Sequence, residues 1–165
     1  MEKSNRKRIT RILTISLLLC LFVGISVYKV WIQDNGMSVE VNDKKIEPHN
    51  YVLAGQSGGS YWDSSVLSLP CVAAKSEESV NLIYQNDFPV KITVIKYDVL
   101  DENSALGANE SRGEPENLVL ERHEDGMSFT VPEFNTDYQL VRCCCKWKFL
   151  FFEKDVEYIF SLKNE

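Results

Sequence analysis

Three consecutive cysteines, Cys143, Cys144 and Cys145, form the densest run of chemically capable side chains in this chain of 165 residues. Thiolates act as nucleophiles and as ligands for soft metals. In an extended strand, however, Cys143 and Cys145 share one face and Cys144 points the other way. One metal therefore cannot take all three without breaking the strand. There is no CxxC, and neither His49 nor His123 stands at ligand spacing from the run. The favoured reading is core packing for at least one of Cys143 and Cys145, between Val141 and Trp147, since a free cysteine packs as a small hydrophobe. A cysteine nucleophile assisted by His49 or His123 is the competing reading. Cys71 is the only other cysteine outside the N-terminal apolar segment. In an oxidising compartment one bridge could join Cys71 to one of Cys143, Cys144 and Cys145.

Other chemistry is weaker. Asp98, Asp101, Glu102 and Asn103 offer closely spaced oxygen ligands for calcium, but no EF-hand spacing is present and a charged loop is ordinarily solvated. Ser57, Ser60, Ser64 and Ser65 lack a G-x-S-x-G context, and nothing in the sequence sets a histidine beside a serine. Gly55, Gly58 and Gly59 are not followed by the Lys-Ser and helix pattern of a phosphate loop. No catalytic residue, metal or cofactor is therefore assigned. Asn109-Glu110-Ser111 matches the N-glycosylation pattern.

The elements that must position these residues begin with a targeting segment. Lys3, Arg6, Lys7, Arg8 and Arg11 precede an uncharged run from Ile12 to Tyr28, a polarity that keeps the N-terminus inside. The run is slightly short of a hydrocarbon core, and Val30, Trp31 and Ile32 are needed to extend it. A retained transmembrane anchor over residues 12–32 is expected. The alternative is a cleaved signal with Ile12 to Val23 as its apolar core and Gly24-Ile25-Ser26 as the processing site. Residues 1–11 are then cytoplasmic and residues 33–165 form one extracytoplasmic domain, behind a short joint at 33–36. Residues 1–32 net +5, so a chain of −6 leaves −11 for that domain. Such a charge repels nucleic acid and anionic surfaces and attracts basic peptides or divalent cations.

Period-two alternation of β-branched and aromatic residues predicts strands. It runs through Met37 to Val41, through Val80, Leu82 and Tyr84, and through Val90, Ile92 and Val94. It returns at Leu118 and Leu120, at Met127, Phe129 and Val131, at Val141 to Trp147 and at Val156 to Leu162. Asn42-Asp43 reads as a tight turn, Asn86-Asp87-Phe88-Pro89 as another, and Glu153-Lys154-Asp155 as the turn of a C-terminal hairpin. Asp98 to Asn117 reads as a mobile, exposed acidic loop. The expected fold is an all-β, antiparallel, immunoglobulin-like sandwich of about seven to nine strands. Asp137-Tyr138 adds a partial match to the tyrosine corner of such domains.

Gly59-Ser60-Tyr61-Trp62, Val80-Asn81-Leu82-Ile83-Tyr84, Phe88-Pro89-Val90-Lys91-Ile92-Thr93-Val94, Cys145-Lys146-Trp147 and Tyr158-Ile159-Phe160 together resemble small exported β-domains of Firmicutes. Those domains stand behind a lipoprotein signal or a single membrane helix. The resemblance covers about residues 37–163 and implies no catalytic residues. This chain departs from it in lacking a lipobox at Cys20 and in carrying cysteines where small residues are usual. The expectation is a non-enzymatic, membrane-anchored interaction module at the cell membrane, an accessory sensor subunit being one form of it. It would contact lipid through residues 12–32 and a protein or peptide outside the cytoplasm through Tyr61, Trp62, Asp98, Asp101 and Glu102. An envelope enzyme with a cysteine nucleophile and a structural assembly protein are the alternatives.

Overall fold

A computed structural model describes residues 2–28, 36–52, 63–108, 111–149 and 152–165. One helix, α1 (Glu2–Val27), opens the chain, and eleven strands follow among the described residues. In β1 (Met37–Val41), Met37, Val39 and Val41 are buried, and in β5 (Ser79–Tyr84) Val80, Leu82 and Tyr84 are. Alternation of this kind presents one apolar face, which a second sheet must cover.

The five-stranded sheet runs in the order β2 (Lys44–Ile46), β1, β5, β9 (Gly126–Thr130) and β8 (Glu121–Arg122). The six-stranded sheet runs β3 (His49–Val52), β11 (Phe152–Asn164), β10 (Tyr138–Phe149), β6 (Lys91–Asp98) and β7 (Glu116–Asn117). Its sixth strand, β4 (Cys71–Ala74), continues the β3 edge by pairing in parallel with Ser161–Asn164 of β11. All other pairings are antiparallel. Between the sheets one core gathers Val39, Leu82, Phe129, Val94, Trp147 and Phe160 with their neighbours. Trp147 buries its ring edge-on to Tyr84 and Tyr158 and donates its indole N–H to the Asp87 carbonyl at 2.9 Å. The result is an all-β sandwich.

A second, smaller core lies on the opposite face of the six-stranded sheet. Tyr97, Val99, Leu140 and Ile159 point away from the sandwich interior and are covered by Val66 and Leu69, the first residue and the C-cap of a 3-10 turn, and by Leu106. The covering stretch 99–108 is tied down by Leu106 N–H to Ser64 O at 3.0 Å, and Val99 also bridges to Arg112. The buried Ser111 hydroxyl lies 2.8 Å from the Ala105 carbonyl and 2.7 Å from that of Ala108.

Four expectations are corrected. The stretch from Asp98 to Asn117 is not an open loop throughout, because the buried Leu106 anchors it over the sheet and Glu116–Asn117 pairs with β6. Glu153-Lys154-Asp155 is not the turn of the last hairpin but part of β11, where Glu153 and Asp155 pair with Lys146 and Lys148 across the strands. Leu118 and Leu120 lie between β7 and β8, where the chain passes from one sheet to the other. The transmembrane span over 12–32 is not supported: among the described residues no helix is long and apolar enough to cross a membrane. From Ile12 to its end at Val27 the uncharged part of α1 extends about 24 Å, against a hydrocarbon core of about 30 Å. Val30, Trp31 and Ile32, which were to extend it, lie outside the described residues, as does the joint at 33–35.

Candidate interaction surface

The cysteine run stands in β10 with its side chains alternating. Cys143 and Cys145 enter the sandwich core and Cys144 turns to the outer face. Burial pushes the Cys143 thiol well above its ordinary range and the Cys145 thiol up to about 12. Cys144 is raised too, by burial and then by the Glu157 carboxylate, which outweigh the nearby Arg142. A thiol held protonated is a poor nucleophile.

Neither histidine reaches these thiols. His49 pairs with Ile159, two strands from β10, in the row of Arg142. At about 4.8 Å between strands that is roughly 10 Å or more from Cys144. His123 belongs to the other sheet. Cys71 pairs with Ser161, whose partner is Leu140, so it stands two strands across and three residues along from Cys143. A disulfide needs Cα atoms within about 7 Å. All five cysteines are free.

The acidic candidates are not gathered into one site either. Asp98 accepts from Lys96 Nζ at 3.1 Å and from Asn135 Nδ2 at 3.0 Å. Asp101 closes a local turn by accepting from Asn103 N–H and the Ser104 hydroxyl, and those bonds lower its pKa. Glu102 is exposed. No group of three metal-ligating side chains occurs among the described residues. Tyr61, Trp62, the glycines at 55, 58 and 59, and Asn109 lie outside the described residues.

The two outer faces of the sandwich differ sharply in how their charges are paired. On the six-stranded sheet, the buried Glu157 pairs with Arg142, whose Nη1 also donates to Tyr97 Oη at 3.0 Å. Lys96, itself buried, pairs with Asp98 and Glu116. Burial alone would lower its pKa, but its bonds to those two carboxylates raise it. On the five-stranded sheet, Lys45, Glu40, Asn81, Ser128 and Glu121 align in one row. Glu40, Glu121, Glu124 and Asp125 have no ion pair among the described residues.

Beside that row the β8–β9 hairpin bounds a groove of about 280 Å³, lined by Asn81, Ile83, His123, Glu124, Asp125 and Gly126 among others. Gly126 is required there, because a Cβ would run into the Leu82 carbonyl of the neighbouring strand. His123 N–H bonds to the Gly126 carbonyl at 2.9 Å, closing the turn. Its Nε2 lies 2.6 Å from Ser128 Oγ. The structure thus places a histidine beside a serine, which no reading of Ser57, Ser60, Ser64 or Ser65 anticipated. The available signal was the polar pair Glu124-Asp125 ahead of Gly126, a turn between two short runs that folds residues 123 and 128 against each other. A Ser–His pair becomes a nucleophile when a third group orients the imidazole. Among the described residues His123 has no such second partner.

Comparison of the chain with protein-family models, with curated proteins and with solved structures finds no match.

Proposed function

We propose that this chain is a non-enzymatic interaction module of immunoglobulin-like topology, carried outside the cytoplasm by its N-terminal helix, with a protein or peptide as its partner. One observation carries the reading. One end of the outer face of the six-stranded sheet is roofed by the chain itself, and the groove at its other end pairs its carboxylate Asp155 with Lys146, whereas the groove on the outer face of the five-stranded sheet is rimmed by Glu124 and Asp125, which have no ion pair among the described residues. Grooves with a few convergent polar groups are the common form of a binding site.

The strand order supports the finer fold assignment. β1, β5, β9 and β8 follow the A, B, E, D order of immunoglobulin domains, and β6, β10 and β11 follow C, F, G. The membrane role is supported by α1, whose Ile12, Leu13, Ile15, Leu18, Leu19 and Phe22 are all exposed around its circumference behind a basic N-terminus. Lipid is the natural environment of such a surface, as a signal-anchor. The acidic domain disfavours nucleic acid. The raised thiol pKa values weigh against the cysteine-enzyme alternative.

The test is co-purification of the full chain from its native cells in mild detergent, with Asn81→Arg blocking the open face and Leu67→Arg altering the roof. A partner retained by Leu67→Arg and lost with Asn81→Arg is expected. Loss with Leu67→Arg alone, or no partner in any detergent, refutes the proposal.

A further inference from the structure

We infer that the tip of the β10–β11 hairpin touches the bilayer, its apolar residues entering the lipid interface and its lysines meeting the headgroup phosphates. The inference rests on the reading of α1 as a lipid anchor and adds a second contact between this chain and the same membrane.

The hairpin outruns its neighbours. β6 pairs with β10 as far as Lys91 opposite Lys146, and β3 pairs with β11 as far as Val52 opposite Val156. Past those residues the two strands pair, among the described residues, only with each other: Trp147 with Lys154, Lys148 with Glu153 and Phe149 with Phe152. Extended chain carries Phe149 about 10 Å beyond Lys146. The sequence there reads Phe149-Leu150-Phe151-Phe152, with Leu150 and Phe151 outside the described residues. Hairpin turns are ordinarily polar, so a run of large apolar residues at this place calls for an apolar environment. Phe152 is only half-buried and belongs to neither apolar core.

The chain enters the sandwich at the end from which the hairpin projects. Met37, the first residue of β1, lies opposite Tyr84, the last of β5, and Gln85 N–H donates to the Gly36 carbonyl at 3.0 Å. The connection from β5 to β6 holds the base of the hairpin, where the Asp87 carbonyl accepts from the Trp147 indole and Val90 N–H donates to the Lys146 carbonyl at 2.7 Å. α1 ends at Val27, and the chain from there to Gly36 can span at most about 30 Å. With α1 in lipid, what this end of the domain faces across so short a tether is the bilayer itself. The β8–β9 turn, with Glu124 and Asp125, lies at the same end but closes within its sheet at Gly126, opposite Ile83.

The charge of the hairpin fits that neighbour. From residue 146 to residue 154 it holds Lys146, Lys148 and Lys154 against Glu153 alone, in a domain that is acidic overall. Lys146 and Lys148 share Glu153 between them. Lysines flanking aromatic residues suit a membrane interface, because their stems lie along apolar surface while the ammonium groups reach the phosphates.

The experiment places the fluorescent residue dansylalanine at position 18, 152 or 102 of the full chain, reconstituted in vesicles of phosphatidylcholine with or without bromine on the acyl chains. Position 18 reports on α1, and the exposed Glu102 follows Asp98 at the end of β6 far from Lys91. Bromine quenches only a probe that reaches the acyl region. Positions 18 and 152 are expected to emit at shorter wavelength and to lose most of their emission in the brominated vesicles, and position 102 to lose none. Quenching at 18 without quenching at 152 overturns the inference and leaves the anchor standing, even if emission from 152 is shifted by a protein cover. Quenching at none of the three overturns both. Equal quenching at all three shows adsorption without orientation and overturns the inference.

Discussion

The outer faces of the two sheets are built from the same alternating strands but finished differently. At one end the six-stranded sheet turns Tyr97, Leu140 and Ile159 outward, and the chain spends residues 63–70 and 99–108 to cover them. The five-stranded sheet turns Asn81, Glu40 and Glu121 outward, which need no cover, and only the small Ser128 between them is buried, beside His123. An apolar outer face demands a roof and yields stability, whereas a polar one can be left open and yields a surface for a partner. Substitutions on the roofed face should therefore act on folding, and substitutions on the open face on binding.

The largest effect is expected at the buried pair. Arg142→Met leaves the Glu157 carboxylate in the sheet without its main cation and should cost about 3 to 5 kcal/mol in urea denaturation. The double variant Arg142→Met with Glu157→Met should recover most of that loss. Recovery is the informative result, since it separates a stranded charge from lost packing.

Next comes the roof. Leu106→Ala should cost about 2 to 4 kcal/mol, because Leu106 is fully buried against Val66 and Ile159 and leaves a cavity. If the loss is under about 0.5 kcal/mol, the stretch from Val99 to Ala108 is the mobile loop that its composition suggests.

The sandwich interior adds a dependence on pH. The folded state holds the Cys145 thiol protonated up to about 12, while the unfolded chain releases that proton near 9. Between those values the folded state binds more protons, so stability falls as pH rises, by about 1.4 kcal/mol per pH unit for this thiol. Cys145→Ala should flatten the decline in urea midpoint between pH 9 and 11. In the same interior the Tyr84 hydroxyl is buried with no geometrically formed hydrogen bond among the described residues, and only the weakly polar Cys145 thiol lies against it. Tyr84→Phe should then be neutral or stabilising by about 1 kcal/mol. The smallest stability effect belongs to the open face, where Glu124→Gln and Asp125→Asn should each stay within about 0.5 kcal/mol.

Much of the sandwich was legible in the alternation of residues. Val80, Leu82 and Tyr84 fall on one buried face, Cys143, Cys145 and Trp147 on another, and Asn42 and Asp43 adopt the positive φ of a tight turn. What alternation does not reveal is which sheet a strand joins, because that depends on partners distant in sequence. Leu106 was hidden for the same reason: one leucine in a polar stretch has no periodicity, and its burial exists only once the sheet beneath is formed. The last hairpin was misread locally. Glu153, Lys154 and Asp155 resemble a charged turn until Lys146 and Lys148 are placed opposite them. The open groove was harder still, since its residues come from β5 and from the turn between β8 and β9.

Photo-crosslinking in the native cell would show whether the partner sits on the open face of the five-stranded sheet. A benzophenone amino acid is placed at Asn81 on the open face or at Leu67 on the roof. A discrete crosslinked species is expected from position 81 and none from position 67. A species from position 67 with none from position 81 would contradict it.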